Sequence, residues 1–325
     1  MATLGAYALT LIDWAKRLDP DGTTADVVEL LDDTNEILDD MLWVQGNLPT
    51  GHRTTVRTGL PSVVWRKLNY GTQPSKSTTR QVDDTCGMLT ALSQIDKALL
   101  ALNGNDAAFR LSEEAPFLEA MNQEFLSQLW YGDTDTNPEK ILGFANRYPT
   151  LSTSNVINAG GSGSDVTSMW LVCWGANTCH GTFPKGSKAG INQQDYGEEL
   201  VSDSQSPAGQ YPAARTWWEW HSGLVVRDWR YIVRICNIES TGSSNIITPN
   251  LMAQAWRKLP TRNVMSGKLV FYCNSTVLTQ LDEALMDKSN AAFTIKEIFG
   301  QPVTHFWGIP VRQCDSILNT ETALV

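Results

Sequence analysis

Residues 31–79 read LDDTNEILDDMLWVQGNLPTGHRTTVRTGLPSVVWRKLNYGTQPSKSTT, and charge divides the stretch in two. Its first ten positions hold Asp32, Asp33, Glu36, Asp39 and Asp40. Its later part holds Arg53, Arg57, Arg66, Lys67 and Lys76 without an acid, and Arg80 follows directly. Over a wider window, residues 1–40 carry ten acids and two bases, and residues 51–80 carry six bases and no acid. A net charge of −8 therefore stands next to one of +6. Patches of opposite sign pair within one molecule or between copies, and copies that pair head to tail build rings, lattices or filaments rather than closed dimers.

The local pattern predicts an arm followed by a ribbon. Residues 8–18 suit a short helix, broken by Asp19-Pro20-Asp21-Gly22. Thr24 is placed to cap a second helix over 25–39, with Val27, Leu30, Leu31, Thr34 and Leu38 on one face and carboxylates on the other. Such a helix packs through a narrow stripe, as an arm laid on something else. HRTTVRT (52–58) and SVVWRKLN (62–69) read as two strand pieces around Gly59-Leu60-Pro61, and TTRQVDDTCGMLTALSQID (78–96) as the returning strand. An isolated two-stranded ribbon is marginal in water, so this one must lean on its own body or on a neighbouring subunit.

The remainder alternates strands with scattered helices. A helical turn is expected within 96–104, then a helix over 113–131 capped by Ser112, with Glu113 and Glu114 at its positive end and Pro116 in its first turn. Leu118, Met121, Phe125 and Leu129 mark its apolar face, and Gly132 ends it. MWLVCWG (169–175) reads as a strand, 176–214 as loops or hairpins, and 214–238 as two long strands. Thr248-Pro249 opens a helix running to Lys258, 268–273 is a strand, and Ser275 caps a helix with Leu278, Leu281 and Leu285 on one face. Strands over 293–298 and 308–313 finish the chain. The class is mixed α+β rather than a regular βαβ alternation.

Composition narrows the function. The 325 residues are 42% hydrophobic, enough for a sizeable core, and include twelve Trp, a residue enriched in cores and protein interfaces. A net charge of −10 repels phosphate and argues against tight nucleic-acid binding. The basic stretch 51–80, with Trp65 and Tyr70 among its bases, is the exception, and protein carboxylates are its favoured partner. Six Cys without framework spacing suit reduced thiols. No basic region precedes Asp13 and no apolar run reaches 18 residues, so neither a signal peptide nor a membrane span is expected. The Asn274-Ser275-Thr276 sequon is read as chance.

No catalytic, cofactor-binding or metal-binding residues are expected. Cys173, Cys179 and His180 are spaced C-x5-C-H, which matches no zinc pattern. Gly160–Ser164 lacks the Gly-Lys-Ser/Thr of a phosphate loop and precedes a strand, and Phe183–Lys188 forms no such motif either. Glu219 and His221 flank Trp220 on a presumed strand, where a sheet pair accounts for them. The Gly-x-Ser-x-Gly elbow of a hydrolase is missing.

The order of parts resembles a major capsid protein of tailed bacteriophages with the HK97-type fold. Residues 31–79 resemble the arm and extended loop of coat proteins from the epsilon15-like short-tailed phages, and AAFRLSEEAPFLEAMNQEF (107–125) resembles their spine helix. Residues 170–190, 217–238, 270–282 and 299–318 resemble the same group. The resemblance implies an N-arm over 1–48, an extended loop (E-loop) over 49–95, and the spine helix with the first part of a peripheral (P) domain over 96–168. It further implies a β-rich part of the P and axial (A) domains over 169–244, and mainly A domain with a C-terminal return over 245–325. It also implies a non-catalytic shell protein of the virion, assembled in the host bacterial cytoplasm as pentamers and hexamers around double-stranded DNA that it does not read by sequence. Scaffold, portal and decoration proteins are further partners, and a chain that opens on a short arm uses a separate scaffold or none. Arg53, Arg57, Arg66, Lys67, Lys76 and Arg80 of the loop, and Asp32, Asp33, Glu36, Asp39 and Asp40 of the arm, are the expected contacts between subunits. Lys67 and Lys76 lie where the family's crosslinking variant carries its Lys, but neither the companion acid nor the Asn is visible, so that chemistry is not carried over. The rivals are an encapsulin-like compartment of the same fold and a soluble hydrolase using Cys or His.

Overall fold

The computed structural model describes residues 35–102, 106–203, 209–242, 244–261, 267–286, 293–298 and 301–325. The helix expected over 8–18 and most of that over 25–39 lie outside the described residues, as do Asp32 and Asp33; Ile37–Asp40 forms a helical turn. In chain order the first described strands are β1 (Trp43–Gln45), β2 (Gly51–Gly59), β3 (Thr78–Asp96) and β4 (Val156–Asn158). Then come β5 (Val166–Trp174), β6 (Cys179–Phe183), β7 (Asn192–Ser202), β8 (Gln210–Val226) and β9 (Ile232–Glu239). The last are β10 (Lys268–Cys273), β11 (Phe293–Ile298), β12 (Gln301–Phe306) and β13 (Ile309–Gln313). Among the described residues, two compact units are threaded from separate stretches: one from 88–127 and 190–221, the other from 35–87, 128–189 and 222–325. No helix among the described residues is long and apolar enough to cross a membrane.

In the larger unit β5 is the central strand. VTSMWLVCW shows no polar alternation, as a strand covered on both faces requires, and every one of its residues is buried. It pairs antiparallel with β9 and with β10, and β10 pairs parallel with β13. Met169 and Leu171 join an aliphatic core with Val233, Ile235, Phe271 and Val277. The alternate residues Trp170 and Trp174 enter an aromatic cluster instead, with Trp130 5.6 Å from Trp170 and 5.2 Å from Phe144 between ring centroids. Fully burying each such side chain stabilises the fold by roughly 1.5–3 kcal/mol.

Helix ends in this unit follow local chemistry. Thr248 Oγ1 accepts from the Leu251 amide, and Pro249 occupies the first turn of the helix Pro249–Lys258. Replacing Thr248 by Ala should cost about 1 kcal/mol in chemical denaturation, with Thr248→Ser retaining most of it. The helix Ser275–Met286 is capped by Asn274 rather than Ser275: Asn274 Oδ1 accepts from the Val277 amide at 3.0 Å. The Asn274 Nδ2 donates to Thr167 Oγ1 at 2.8 Å and to Asn319 Oδ1 at 2.5 Å, so the sequon's amide is spent inside the fold. A strand pairing the sequence pattern missed, β11 with β12, lies before β13.

In the smaller unit β7 and β8 form an antiparallel hairpin with a bulge between Asp195 and Gly197, where Gly197 takes φ +70°. Trp218 stacks on Phe117 at 5.2 Å and Trp220 tilts against Phe125 at 4.5 Å. The helix carrying these phenylalanines begins at Asp106, not at 113, so Ser112 is no cap and Pro116 lies inside it. Arg110 explains the earlier start. Its guanidinium donates to Glu114 one turn on, at 2.8 Å, and to Asp195 and Thr216 of the hairpin at 2.7 and 2.5 Å. Met121, Phe125 and Leu129 are buried as expected, whereas Leu118 is exposed.

The ribbon also departs from expectation. β2 pairs with β3 from Gly51↔Thr85 to Gly59↔Thr78, and 62–69 is not a strand. Pro61 brings no amide to a ladder, and the register breaks between Arg57 and Gly59.

Candidate assembly surface

At the base of the ribbon, register sets Arg53 opposite Asp83. The pair is bidentate, Nε to Oδ1 at 2.6 Å and Nη2 to Oδ2 at 2.7 Å, and holds the Asp83 carboxyl below the usual range through that hydrogen bond. Asn47 brackets the Arg53 backbone, accepting from its amide at 2.7 Å and donating to its carbonyl at 2.8 Å. The next residue, Asp84, is buried. It accepts from Arg147 Nη2 at 2.7 Å and from the Val226 amide at 3.4 Å, which pins the ribbon's root to its own unit. Both anchoring acids went unread in the sequence, although the hairpin register alone places Asp83 across from Arg53.

Beyond the root the chain is bare. Leu60, Val63, Val64, Trp65, Leu68 and Tyr70 are 82, 91, 64, 102, 86 and 69% exposed. Soluble proteins rarely leave so many large apolar groups contiguous and uncovered unless a partner covers them. Arg57, Arg66, Lys67, Lys76 and Arg80 are exposed around them, and none forms an ion pair among the described residues. An open groove of about 500 Å³ runs beside β2, lined by Thr54, Arg57, Asn177, Arg227 and Trp229 among others. Arg227 there donates to the Ala176 carbonyl at 3.0 Å, while Arg230 is forked onto Asp228.

The arm's acids have other partners. Glu36 pairs with Arg312. Asp40 is buried, pairs with Lys268, lies 3.1 Å from Arg312 Nε, and accepts from Tyr272 Oη at 2.8 Å. Trp174 Nε1 donates to the same phenol at 2.8 Å. Burial, with Asp40 beside it, holds the Tyr272 phenol far above its ordinary range. Asp39 is exposed. The structure thus brings Glu36 and Asp40 to cations of β10 and β13, and among the described residues it brings no ribbon base to an arm acid.

Other candidate chemistry resolves into structure. No group of three metal-ligating side chains occurs among the described residues. Burial raises the thiols of Cys173 and Cys179. His221 and Glu219 meet at 2.5 Å as neighbours on β8.

A profile of the family described as major capsid protein GP7 matches residues 19–325. The chain belongs to that family. A solved chain of bacteriophage Epsilon15 is 36% identical, with a TM-score of 0.80 over 100% of this chain and 99% of that one. The capsid of bacteriophage JBD30 is 7% identical over 89% of this chain and 92% of its own, at a TM-score of 0.48. The SrpI encapsulin of Synechococcus elongatus is 10% identical over 74% and 99%, at 0.44. Among curated proteins none matches. The major capsid protein GP7 family and the Epsilon15 likeness establish the α+β HK97-type fold, a structural rather than enzymatic role, and residence in the virion as part of a multimeric shell. They favour a phage head over an encapsulin-like compartment and set aside the hydrolase.

Proposed function

We propose that this chain assembles as pentamers and hexamers into an icosahedral head around double-stranded DNA, in the host cytoplasm, with scaffold, portal and decoration proteins as further partners. The observation that carries this reading is the bare segment Leu60–Tyr70, whose apolar side chains need a covering surface that a neighbouring copy would supply. In this reading residues 1–48 are the N-arm, 49–95 the E-loop, 96–168 the spine helix and start of the P domain, 169–244 the β-rich part of the P and A domains, and 245–325 mainly the A domain. Arg57, Arg66, Lys67, Lys76 and Arg80 are the bases left to face carboxylates of neighbours, among them Asp32, Asp33 and Asp39. Arg53, Glu36 and Asp40 serve first to hold their own chain.

Each exposed pair contributes about 0–1 kcal/mol and is screened by salt, so only their number makes them matter. The variant Arg57→Glu/Lys67→Glu/Lys76→Glu should give fewer closed shells in electron micrographs of purified protein, and wild-type yield should fall as salt rises. Shells that form equally well in both conditions would remove the electrostatic part of the proposal. Wild-type protein that forms no particles under any condition would remove the whole.

A further inference from the structure

We propose that His52 and His180 make the root of the ribbon a proton-sensitive latch, which holds β2 against β6 while both rings are neutral and loosens when acid charges them. The two rings meet edge to face, 5.6 Å apart, one from each strand. His180 is 1% exposed, and neither of its ring nitrogens meets a partner at hydrogen-bonding geometry. His52 Nδ1, Thr54 Oγ1 and Thr182 Oγ1 are likewise buried without a partner. Five unsatisfied polar atoms thus lie on the two strands, three of them on the paired rings. Each carries the cost of its lost hydration, which an apolar side chain of similar size would avoid. Nothing in this cluster is fitted to receive two positive charges.

The surroundings set the direction of the response. Burial, then the neighbouring His52 and Arg227, hold His180 down to about 4; the Gly175 backbone, which lies near the ring but outside hydrogen-bonding geometry, opposes them. Burial and Arg227 also lower His52, against the pull of Asp84. Asp84 of β3 is already engaged by Arg147, from the helical turn Phe144–Arg147, and so is a poor counter-charge for an imidazolium. Cys179 beside His180 and Cys86 on β3 are both raised by burial, so neither thiol supplies an anion.

The linkage follows from these directions. In an opened root a solvated imidazole regains an ordinary value near 6.5. Between there and about 4 the opened root binds a proton that the closed root refuses. Closure is therefore complete above about 6.5, and His180 lets the opening equilibrium grow by up to about tenfold per pH unit as pH falls through that window, with His52 acting in the same direction. The amides nearest the latch report it: Cys86 N donates to Thr50 O at 2.9 Å and Gly46 N to Phe183 O at 2.8 Å.

Hydrogen exchange of the full-length chain, corrected for intrinsic rates and followed by mass spectrometry from pH 7.5 to 4.5, tests this. Protection of 46–56 and 179–183 should fall by about tenfold or more between pH 6.5 and 5, while 169–174 in β5 stays protected. His52→Gln should shallow the dependence, and His52→Gln/His180→Gln should abolish it. Root protection in the wild-type chain that does not change over this range overturns the latch, whether or not either variant folds. A dependence that survives intact in a folded double variant overturns it as well. Neither result bears on whether shells form.

Discussion

Replacing Trp65 and Leu68 together by Ser will leave the chain folded and raise the protein concentration needed to form shells by about a hundredfold to ten-thousandfold. Trp65 is 102% exposed and Leu68 86%, so neither supports the fold of its own chain. Surface changes of that kind usually stay within about 0.5 kcal/mol of the original stability. Covering each side chain on a partner is worth roughly 1.5–3 kcal/mol, and about 1.4 kcal/mol is a factor of ten in association. Light scattering of assembly beside a thermal melt of the unassembled chain separates the two effects. Normal assembly at the wild-type threshold would show that another surface covers the ribbon's tip or that nothing does. A large fall in melting temperature would show that the tip packs on its own chain.

The largest expected loss of stability comes from the C-terminal end. Glu321 is 8% exposed and lies among Arg234 Nη2 at 2.9 Å, Ser168 Oγ at 2.5 Å and Tyr131 Oη at 2.6 Å. Arg234 is completed by the Tyr148 carbonyl at 3.0 Å and by the face of Trp170, 5.0 Å from the ring centroid. Glu321→Ala leaves the buried Arg234 guanidinium without its counter-charge, a loss of about 3–5 kcal/mol in urea denaturation. The double change Arg234→Met/Glu321→Met removes both charges and should recover most of that loss, because a buried pair repays little more than its own desolvation. Equal destabilisation by the single and double changes would mean that packing rather than the charge pair holds this corner.

Legibility followed the range of the interaction. β3 and β10 span the residues that local pattern predicts, and Thr248-Pro249 starts its helix, because alternation, apolar runs and caps are decided within a few positions. Asn274 and Ser275 are equally good caps by type; the choice falls to Asn274 because its amide meets Thr167 and Asn319, far away in sequence. Helix 106–131 starts early because Arg110 is met by Asp195 and Thr216, 85 and 106 positions on. Asp40 looked like one more member of an acidic run. Its partner Lys268 stands 228 positions later, and no local rule distinguishes it from its exposed neighbour Asp39. The exposed bases were legible as charge, but which of them the fold would claim depended on register, and only Arg53 lay opposite an acid.

The cysteines carry a consequence for the particle as a whole. Five of the six thiols are buried, and burial pushes even the part-exposed Cys86 up to about 11. Thiolate, the reactive form, is therefore disfavoured at neutral pH, and so is disulfide exchange as a way of joining copies. If copies cohere through apolar cover and screened charge, as proposed above, each contact is reversible. In the proposed assembly a copy that docks in the wrong place would be free to leave again, which would let a growing shell correct its own errors.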